Sequence, residues 1–175
     1  METVSAVVQQ TRPFGLLFLI PLLPLVGATI NGIFGKKLQD RFGKRAVHAI
    51  AIGVMAAAAA VALYAFLGKL LPLPAAERTL VDRVFPMVRI GGFSVDMAFS
   101  MDPLSGLMTL IITLIGTGIH VYSTGYMSEE PAYWRFFTYL NLFVFSMLLL
   151  VLGDNFVMLF FGWEGVGLCS YLLIG

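Results

Sequence analysis

The chain has 175 residues, of which 59% are hydrophobic and 12% charged, and its formal net charge is +1. Soluble domains carry about 25% charged residues, so this composition excludes an ordinary soluble domain and indicates a membrane protein. A net charge this close to zero gives no indication for or against a nucleic-acid or acidic partner, and no nucleic-acid partner is predicted. The one cysteine, Cys169, excludes an internal disulfide, a four-cysteine zinc site and an iron–sulfur cluster ligated within this chain.

Five apolar segments predict an all-α membrane protein with about five transmembrane helices. Each segment has the length of about 20 residues that a helix needs to cross the hydrocarbon core of a bilayer. The predicted helices cover residues 14–34, 46–71, 103–126, 132–152 and 155–175. Pro21 and Pro24 fall inside the first of these and predict a kink there.

The segment between the first two spans, residues 36–45, contains five Lys and Arg residues. Cytoplasmic loops of membrane proteins carry an excess of basic residues, so we expect this loop on the cytoplasmic side and the N-terminus on the outside. A patch that binds nucleic acid or anionic lipid is the alternative interpretation of such a basic run.

Residues 72–101 form the one substantial stretch outside the predicted spans. Within it, residues 84–90 and 93–99 are two runs with alternation and β-branched or aromatic content, on either side of a Gly-Gly pair, which predicts a β-hairpin between helices 2 and 3. Pro86 predicts an edge position for its strand. The mixed charges favour the extracytoplasmic side, and an irregular loop is the alternative.

Asp102 and Pro103 predict the start of the third helix, with Asp as the N-cap and Pro at the first helical position. The second half of this helix is unusually polar, so we expect it to face other helices. It includes His120, which can relay protons because its charge changes near neutral pH. The alternative is a hydrogen-bonded packing residue. In the fourth span, Asn141 is expected to form a hydrogen bond between helices.

At the turn before the fifth span, Gly153 is expected to close the fourth helix and Asp154 to cap the next one. Glu164 lies near the middle of the fifth span. A carboxylate at that depth is costly unless it finds a partner, water or a proton, which makes it a functional candidate; a protonated Glu with one interhelical hydrogen bond is the alternative. A stripe of small residues on the same helix allows a neighbouring helix to approach closely: Gly162, Gly165 and Cys169.

The sequence around Glu164 is Gly-Trp-Glu-Gly-Val-Gly-Leu-Cys-Ser-Tyr-Leu-Leu-Ile-Gly, from Gly162 to Gly175. This run is close to the signature of the fifth transmembrane helix in the antiporter-like subunit L family of respiratory complex I. The chain resembles that family over most of its length, although residues 1–13 and 72–92 match only in character. Other runs that carry the resemblance are 101–108, 119–123, 125–127, 135–143 and 154–155.

The resemblance implies a membrane subunit of a proton-pumping NADH:quinone oxidoreductase, placed in a bacterial inner membrane beside the other membrane-arm subunits. In that family the glutamate that corresponds to Glu164 pairs with a lysine on a later helix, so the chain would be an N-terminal fragment that is inactive alone. It would hold no cofactor itself. NADH, FMN, iron–sulfur clusters and quinone would belong to the complex as a whole.

Two other functions stay open at this point. The first is the large subunit of a multisubunit sodium/proton antiporter, which is related and also has a Trp-Glu pair in the middle of a helix. The second is a membrane module that binds partners and transports nothing. The run Gly-Val-Gly-Leu-Cys-Ser-Tyr after Glu164 favours the complex I family over the antiporter.

Overall fold

The computed structural model describes residues 13–91 and 93–174, so the expected extracytoplasmic N-terminus, half of the predicted Gly-Gly turn and Gly175 lie outside the described residues. The described part contains five long helices, each apolar and long enough to cross a membrane. They are α1 Leu19–Phe42, α2 Lys44–Leu63, α3 Pro103–Tyr126, α4 Tyr133–Leu152 and α5 Phe156–Ile174. The predicted class, an all-α membrane protein with five spans and one hairpin, is confirmed.

The connection between α2 and α3 is mostly a β-hairpin. A π-helical segment, Tyr64–Leu70, continues α2, and a short 3-10 turn, Ala75–Glu77, precedes strand β1 Leu80–Ile90. This strand pairs in antiparallel register with β2 Phe93–Met101. Strand β1 begins before the predicted residue 84 and β2 ends after the predicted residue 99, because the pairing extends to Leu80 opposite Met101. Pro86 lies in β1 where the register shifts, and a two-stranded sheet tolerates the missing N–H there.

The prediction of a loop at residues 36–45 is wrong. Helix α1 continues through the basic residues to Phe42, and Gly43 alone separates it from α2. Gly43 has φ of 77°, a left-handed conformation that glycine adopts at no steric cost. Lys, Arg and Gln are good helix formers, so the helix does not stop where the apolar segment stops. The first helix also starts later than predicted, at Leu19 instead of residue 14.

The end of the molecule opposite the hairpin is held together by polar side chains of α1 and α2. Lys44 Nζ donates to the carbonyl oxygens of Ser128 and Glu130 at 2.6 and 2.9 Å. Gln39 donates to the Pro131 carbonyl at 2.9 Å and accepts from the Trp134 N–H at 3.2 Å. The basic segment therefore also closes the turn between α3 and α4.

Two helix caps differ in how well the residues predict them. Asp102 caps α3 as expected: its side chain accepts from the Ser105 N–H at 2.6 Å, and the Ser105 hydroxyl accepts from the Asp102 N–H at 2.8 Å. The predicted Asp154 cap of α5 is wrong. Asn155 precedes the first helical residue, and its side-chain oxygen accepts from the Met158 N–H at 3.1 Å. Its amide also donates to the Asp96 carbonyl at 2.8 Å, which fastens the α4–α5 turn to the hairpin.

Helix α4 is the central helix of the bundle and contacts each of the other four. It runs antiparallel to α1, because the glycines of α1 meet successive turns of α4 in reverse order. A Cβ built on Gly27 would lie 2.6 Å from Asn141 Nδ2, and one built on Gly35 would lie 2.9 Å from Trp134 Cβ. Small residues thus let the two backbones approach closely, as is usual in membrane helix pairs.

Candidate functional site

Glu164 lies at mid-depth of the fifth span. It stands eight residues after Phe156 and ten before Ile174, which places its Cα about 12 and 15 Å from the two helix ends at about 1.5 Å per residue. The residue is exposed, and within the described chain no hydrogen bond or ion pair joins its carboxylate to another residue. It is the one charged residue of α5.

The side of α5 opposite Glu164 packs against α4. A Cβ on Gly162 would lie 2.5 Å from the backbone nitrogen of Leu150, and one on Gly165 would lie 2.5 Å from Ser146 Oγ. Cys169, two turns after Gly162, is fully buried on the same side. The predicted stripe of small residues is therefore the α4 contact. Because this contact fixes the rotation of α5 about its axis, Glu164 is left on the free side.

The free side of α5 combines this carboxylate with large apolar side chains. Trp163 and Tyr171 are 65% and 73% exposed, and Phe160 and Leu168 are more than half exposed. In a bilayer the aromatic and aliphatic groups meet an apolar environment at no cost, whereas the carboxylate requires a partner, water or a proton. This face therefore has the chemistry of a site that a further polar group completes.

His120 lies in a different place, buried between α3 and α4. Its Nδ1 is 2.8 Å from the Gly116 carbonyl oxygen, one turn earlier in α3, and its Nε2 is 2.7 Å from Asn141 Oδ1. The ring also packs near Phe137, with ring centroids 6.1 Å apart. The expected interhelical hydrogen bond of Asn141 is present.

The hydrogen bonds of His120 restrict where its protons can lie. A carbonyl oxygen can only accept, so Nδ1 must carry a proton toward Gly116. A charged ring also carries a proton on Nε2, which then donates to Asn141 Oδ1. A neutral ring has a bare Nε2, and the Asn141 amide must turn its NH2 group toward it. The amide orientation of Asn141 and the charge of His120 are therefore linked.

A second buried polar residue, which the sequence reasoning missed, joins α1 to α2. Asn31 of α1 is fully buried, and its Nδ2 donates to the Val47 carbonyl oxygen of α2 at 3.2 Å. An asparagine inside an apolar span is the signal that could have identified it, since polar residues in membrane helices usually face other helices.

The structure does not bring the two predicted site residues together. His120 is enclosed by α3 and α4, whereas Glu164 lies on the exposed side of α5. Among the described residues, no group of three His, Cys, Asp or Glu side chains is placed to hold a metal ion. The chain therefore presents an isolated mid-depth carboxylate and a separate buried polar cluster.

Comparisons with known proteins agree with the resemblance in the sequence. A family model described as NADH-Ubiquinone oxidoreductase (complex I), chain 5 N-terminus, matches residues 87–137. The chain is 46% identical over 159 residues to NADH-quinone oxidoreductase subunit L of Mycobacterium tuberculosis, which covers 90% of this chain and 24% of that protein. It is 38% identical over 161 residues to subunit L of Neisseria meningitidis, with 91% and 23% covered.

A eukaryotic relative gives the same result. The chain is 44% identical over 153 residues to NADH-ubiquinone oxidoreductase chain 5 of Dictyostelium discoideum, and this match covers 87% of the chain and 22% of that protein. The chain thus spans about a quarter of the length of the curated relatives that it matches. The region matched is the N-terminal part of those relatives.

Proposed function

We propose that this chain, which resembles the N-terminal quarter of NADH-quinone oxidoreductase subunit L over nine tenths of its own length, contributes part of a proton path in such a complex. The observation that supports this most directly is the mid-depth position of Glu164, without a partner among the described residues. A carboxylate is costly there, and one found at such depth usually pairs with another charged group or forms part of an ion or proton path.

Glu164 acts in this proposal as one half of an ion-pair switch. The resemblance implies a lysine on a helix beyond the present chain as the other half. When the pair is closed, each charge lowers the cost of burying the other. When it opens, the lysine loses its anion and gives up a proton more readily, so the two states of the pair can be coupled to proton movement.

The exposed side of α5 supports this assignment because it leaves room for that second helix. The small residues of α5 are used in the α4 contact, so the partner has to approach from the side of Trp163 and Glu164. That side supplies apolar contact area around a single carboxylate. A helix that presents one cationic group among apolar residues would satisfy both requirements.

His120 is the second residue assigned to the path, as a relay. Its ring bridges a backbone carbonyl of α3 and a side chain of α4, and both of its charge states can be hydrogen-bonded there if the Asn141 amide turns. A hydrogen-bonded packing residue is the competing role. The two roles differ in whether a variant alters proton pumping at equal assembly.

The remaining features of the complex are proposed for the whole protein and not for this chain. The redox groups, NADH, FMN, iron–sulfur clusters and quinone, would be held by partner subunits, and this chain would be a non-redox translocase part in a bacterial inner membrane. Its partners would be the other membrane-arm subunits, the lipid bilayer and protons. Copurification with flavin and iron–sulfur proteins would support this assignment. Copurification with small antiporter subunits would instead support a sodium/proton antiporter.

The test uses the full-length subunit in its complex. We expect Glu164→Gln to reduce NADH-driven proton uptake into inverted membrane vesicles well below the level of Glu164→Asp, because Gln keeps a hydrogen-bonding group but removes the charge. Glu129→Gln is the matched control, since Glu129 is exposed in the α3–α4 turn. Rates are normalised to assembled complex. Normal pumping by an assembled Glu164→Gln complex, with loss of pumping in Glu129→Gln, contradicts the proposal.

A further inference from the structure

Two buried polar atoms at the centre of the bundle have no hydrogen-bond partner among the described residues. They are Asn31 Oδ1 in α1 and Asn141 Nδ2 in α4, and both residues are 0% exposed. The large majority of buried side-chain polar atoms in proteins are hydrogen-bonded to protein or to ordered water, because burying one without a partner is costly. A pair of such atoms therefore requires an explanation.

Asn141 contacts α1 about one helical turn from Asn31, on the same side of that helix. A Cβ built on Gly27 would lie 2.6 Å from Asn141 Nδ2, so the Asn141 amide sits against α1 at the level of Gly27. Asn31 follows Gly27 by four residues, and Cβ positions four apart on a helix are separated by about 6 Å. Helical side chains lean toward the N-terminus, which tilts Asn31 toward Gly27 and hence toward Asn141.

The orientation of the Asn31 amide is fixed by its other contact. Its NH2 group donates to the Val47 carbonyl oxygen, which can only accept, so Asn31 Oδ1 is left as an acceptor. A group that bridges the two residues must therefore donate to Asn31. It must also accept from Asn141 Nδ2, or donate to Asn141 Oδ1 when that amide is turned.

We propose that one water molecule is bound between Asn31 and Asn141 and bridges α1 to α4. Water has two donors and two acceptors, so it satisfies Asn31 Oδ1 and either orientation of the Asn141 amide. An anion would meet the oxygen of Asn31 in either case. A cation would meet two oxygens only when the Asn141 amide is turned, and would meet its NH2 group otherwise. Water is the simplest group that matches both orientations of the amide.

The bound water completes a hydrogen-bonded connection across four helices. It runs from the Val47 carbonyl of α2 through Asn31 of α1, the water, Asn141 of α4 and His120 of α3. The water holds Asn141 in place and so positions the His120 ring. This site is independent of the ion-pair role of Glu164, since it requires neither a charge on that residue nor proton pumping.

The direct test is an experimental structure of the full-length subunit in its native complex, at a resolution that shows ordered water. We expect a density peak within about 2.6–3.2 Å of both Asn31 Oδ1 and the Asn141 amide. A direct Asn31–Asn141 hydrogen bond, a peak that contacts one residue alone, or no peak between them would overturn the proposal.

A second measurement uses solid-state NMR on complex with 15N-labelled asparagine side chains. Magnetisation transfer from water protons to the Asn141 amide is expected in the wild type and strongly reduced in Asn31→Leu, which removes one partner of the water. Thr138→Val is the matched control at the same α1–α4 contact, because the Thr138 hydroxyl bonds to its own helix at the Trp134 carbonyl. Unchanged transfer in Asn31→Leu contradicts the proposal. If that variant fails to assemble, the density map of the wild-type complex decides whether the water is present.

Discussion

Asp82 Oδ2 accepts a hydrogen bond of 2.8 Å from the backbone N–H of Leu17, 65 positions earlier in the chain. The other carboxylate oxygen accepts from the N–H groups of Phe14 and Gly15, each at 2.7 Å. Asp82 is 5% exposed, so this side chain ties the hairpin to the residues that lead into α1. The contact also explains why α1 begins at Leu19: the preceding backbone donors are directed to Asp82.

Asp82→Asn is expected to destabilise the protein. An asparagine has one acceptor oxygen in place of two, and its NH2 group would face at least one backbone N–H. Hydrogen bonds to a charged acceptor are worth about 1.5–3 kcal/mol each, so the expected loss is about 3 kcal/mol of unfolding free energy. The measurement is denaturant-induced unfolding in detergent micelles. Arg83→Gln is the control, since that neighbouring side chain is 75% exposed and 3.9 Å from Asp96. Equal stability of Asp82→Asn and the wild type would show that the carboxylate is not an anchor.

Gly27→Ala tests the close approach of α1 to its neighbours. Its Cβ would lie 2.5 Å from Val54 Cγ2 and 2.6 Å from Asn141 Nδ2, so the helices must separate. Overpacking of this kind costs about 1–3 kcal/mol. Gly53→Ala is the matched control in α2, because its Cβ would meet nothing within 4 Å, and we expect it to be neutral or slightly stabilising. Thermal unfolding of both variants in micelles distinguishes them, and a lower melting temperature for Gly53→Ala than for Gly27→Ala would contradict this packing.

The His120–Asn141 hydrogen bond predicts that the losses of unfolding free energy in variants of these two residues are strongly non-additive. Asn141→Leu leaves a buried ring nitrogen without its partner, and His120→Phe leaves the amide oxygen without its own, so each single variant is expected to lose about 1–3 kcal/mol. The double variant removes both polar groups and should be more stable than the sum of the single losses implies. A double-mutant cycle measured by unfolding gives the coupling. Additive losses would mean that the two side chains do not interact in the folded protein.

The predicted membrane orientation is tested by thiol labelling in intact cells on a Cys169→Ala background. Lys37 lies in the C-terminal part of α1 and Arg89 in the hairpin, and both are exposed. An impermeant reagent is expected to label Arg89→Cys in intact cells and Lys37→Cys only after lysis, because basic segments stay cytoplasmic. The reverse pattern would overturn the orientation and leave the fold unchanged.

Local patterns predicted the elements of the fold because those patterns are set by residues close together in the chain. The length of each apolar run predicts a span, the alternation around the glycine pair predicts the hairpin, and Asp102 before Pro103 predicts a helix start. Hydropathy wrongly predicts a loop at residues 36–45, because it marks where the hydrocarbon of the bilayer ends and not where the helix ends. The Asp154 cap was misplaced by one residue, which is within the usual uncertainty of helix boundaries.

The sequence by itself therefore determined the class, the spans, the hairpin and the mid-depth position of Glu164, all of which depend on neighbours within a turn or two. The tertiary structure alone decided which side of each helix is covered. It placed Asp82 under the start of α1, bonded Asn31 to the Val47 carbonyl and Asn141 to His120, and left Glu164 on the free side of α5. These outcomes depend on how each helix is rotated about its axis. Contacts between residues far apart in the chain set that rotation, and no local pattern records them.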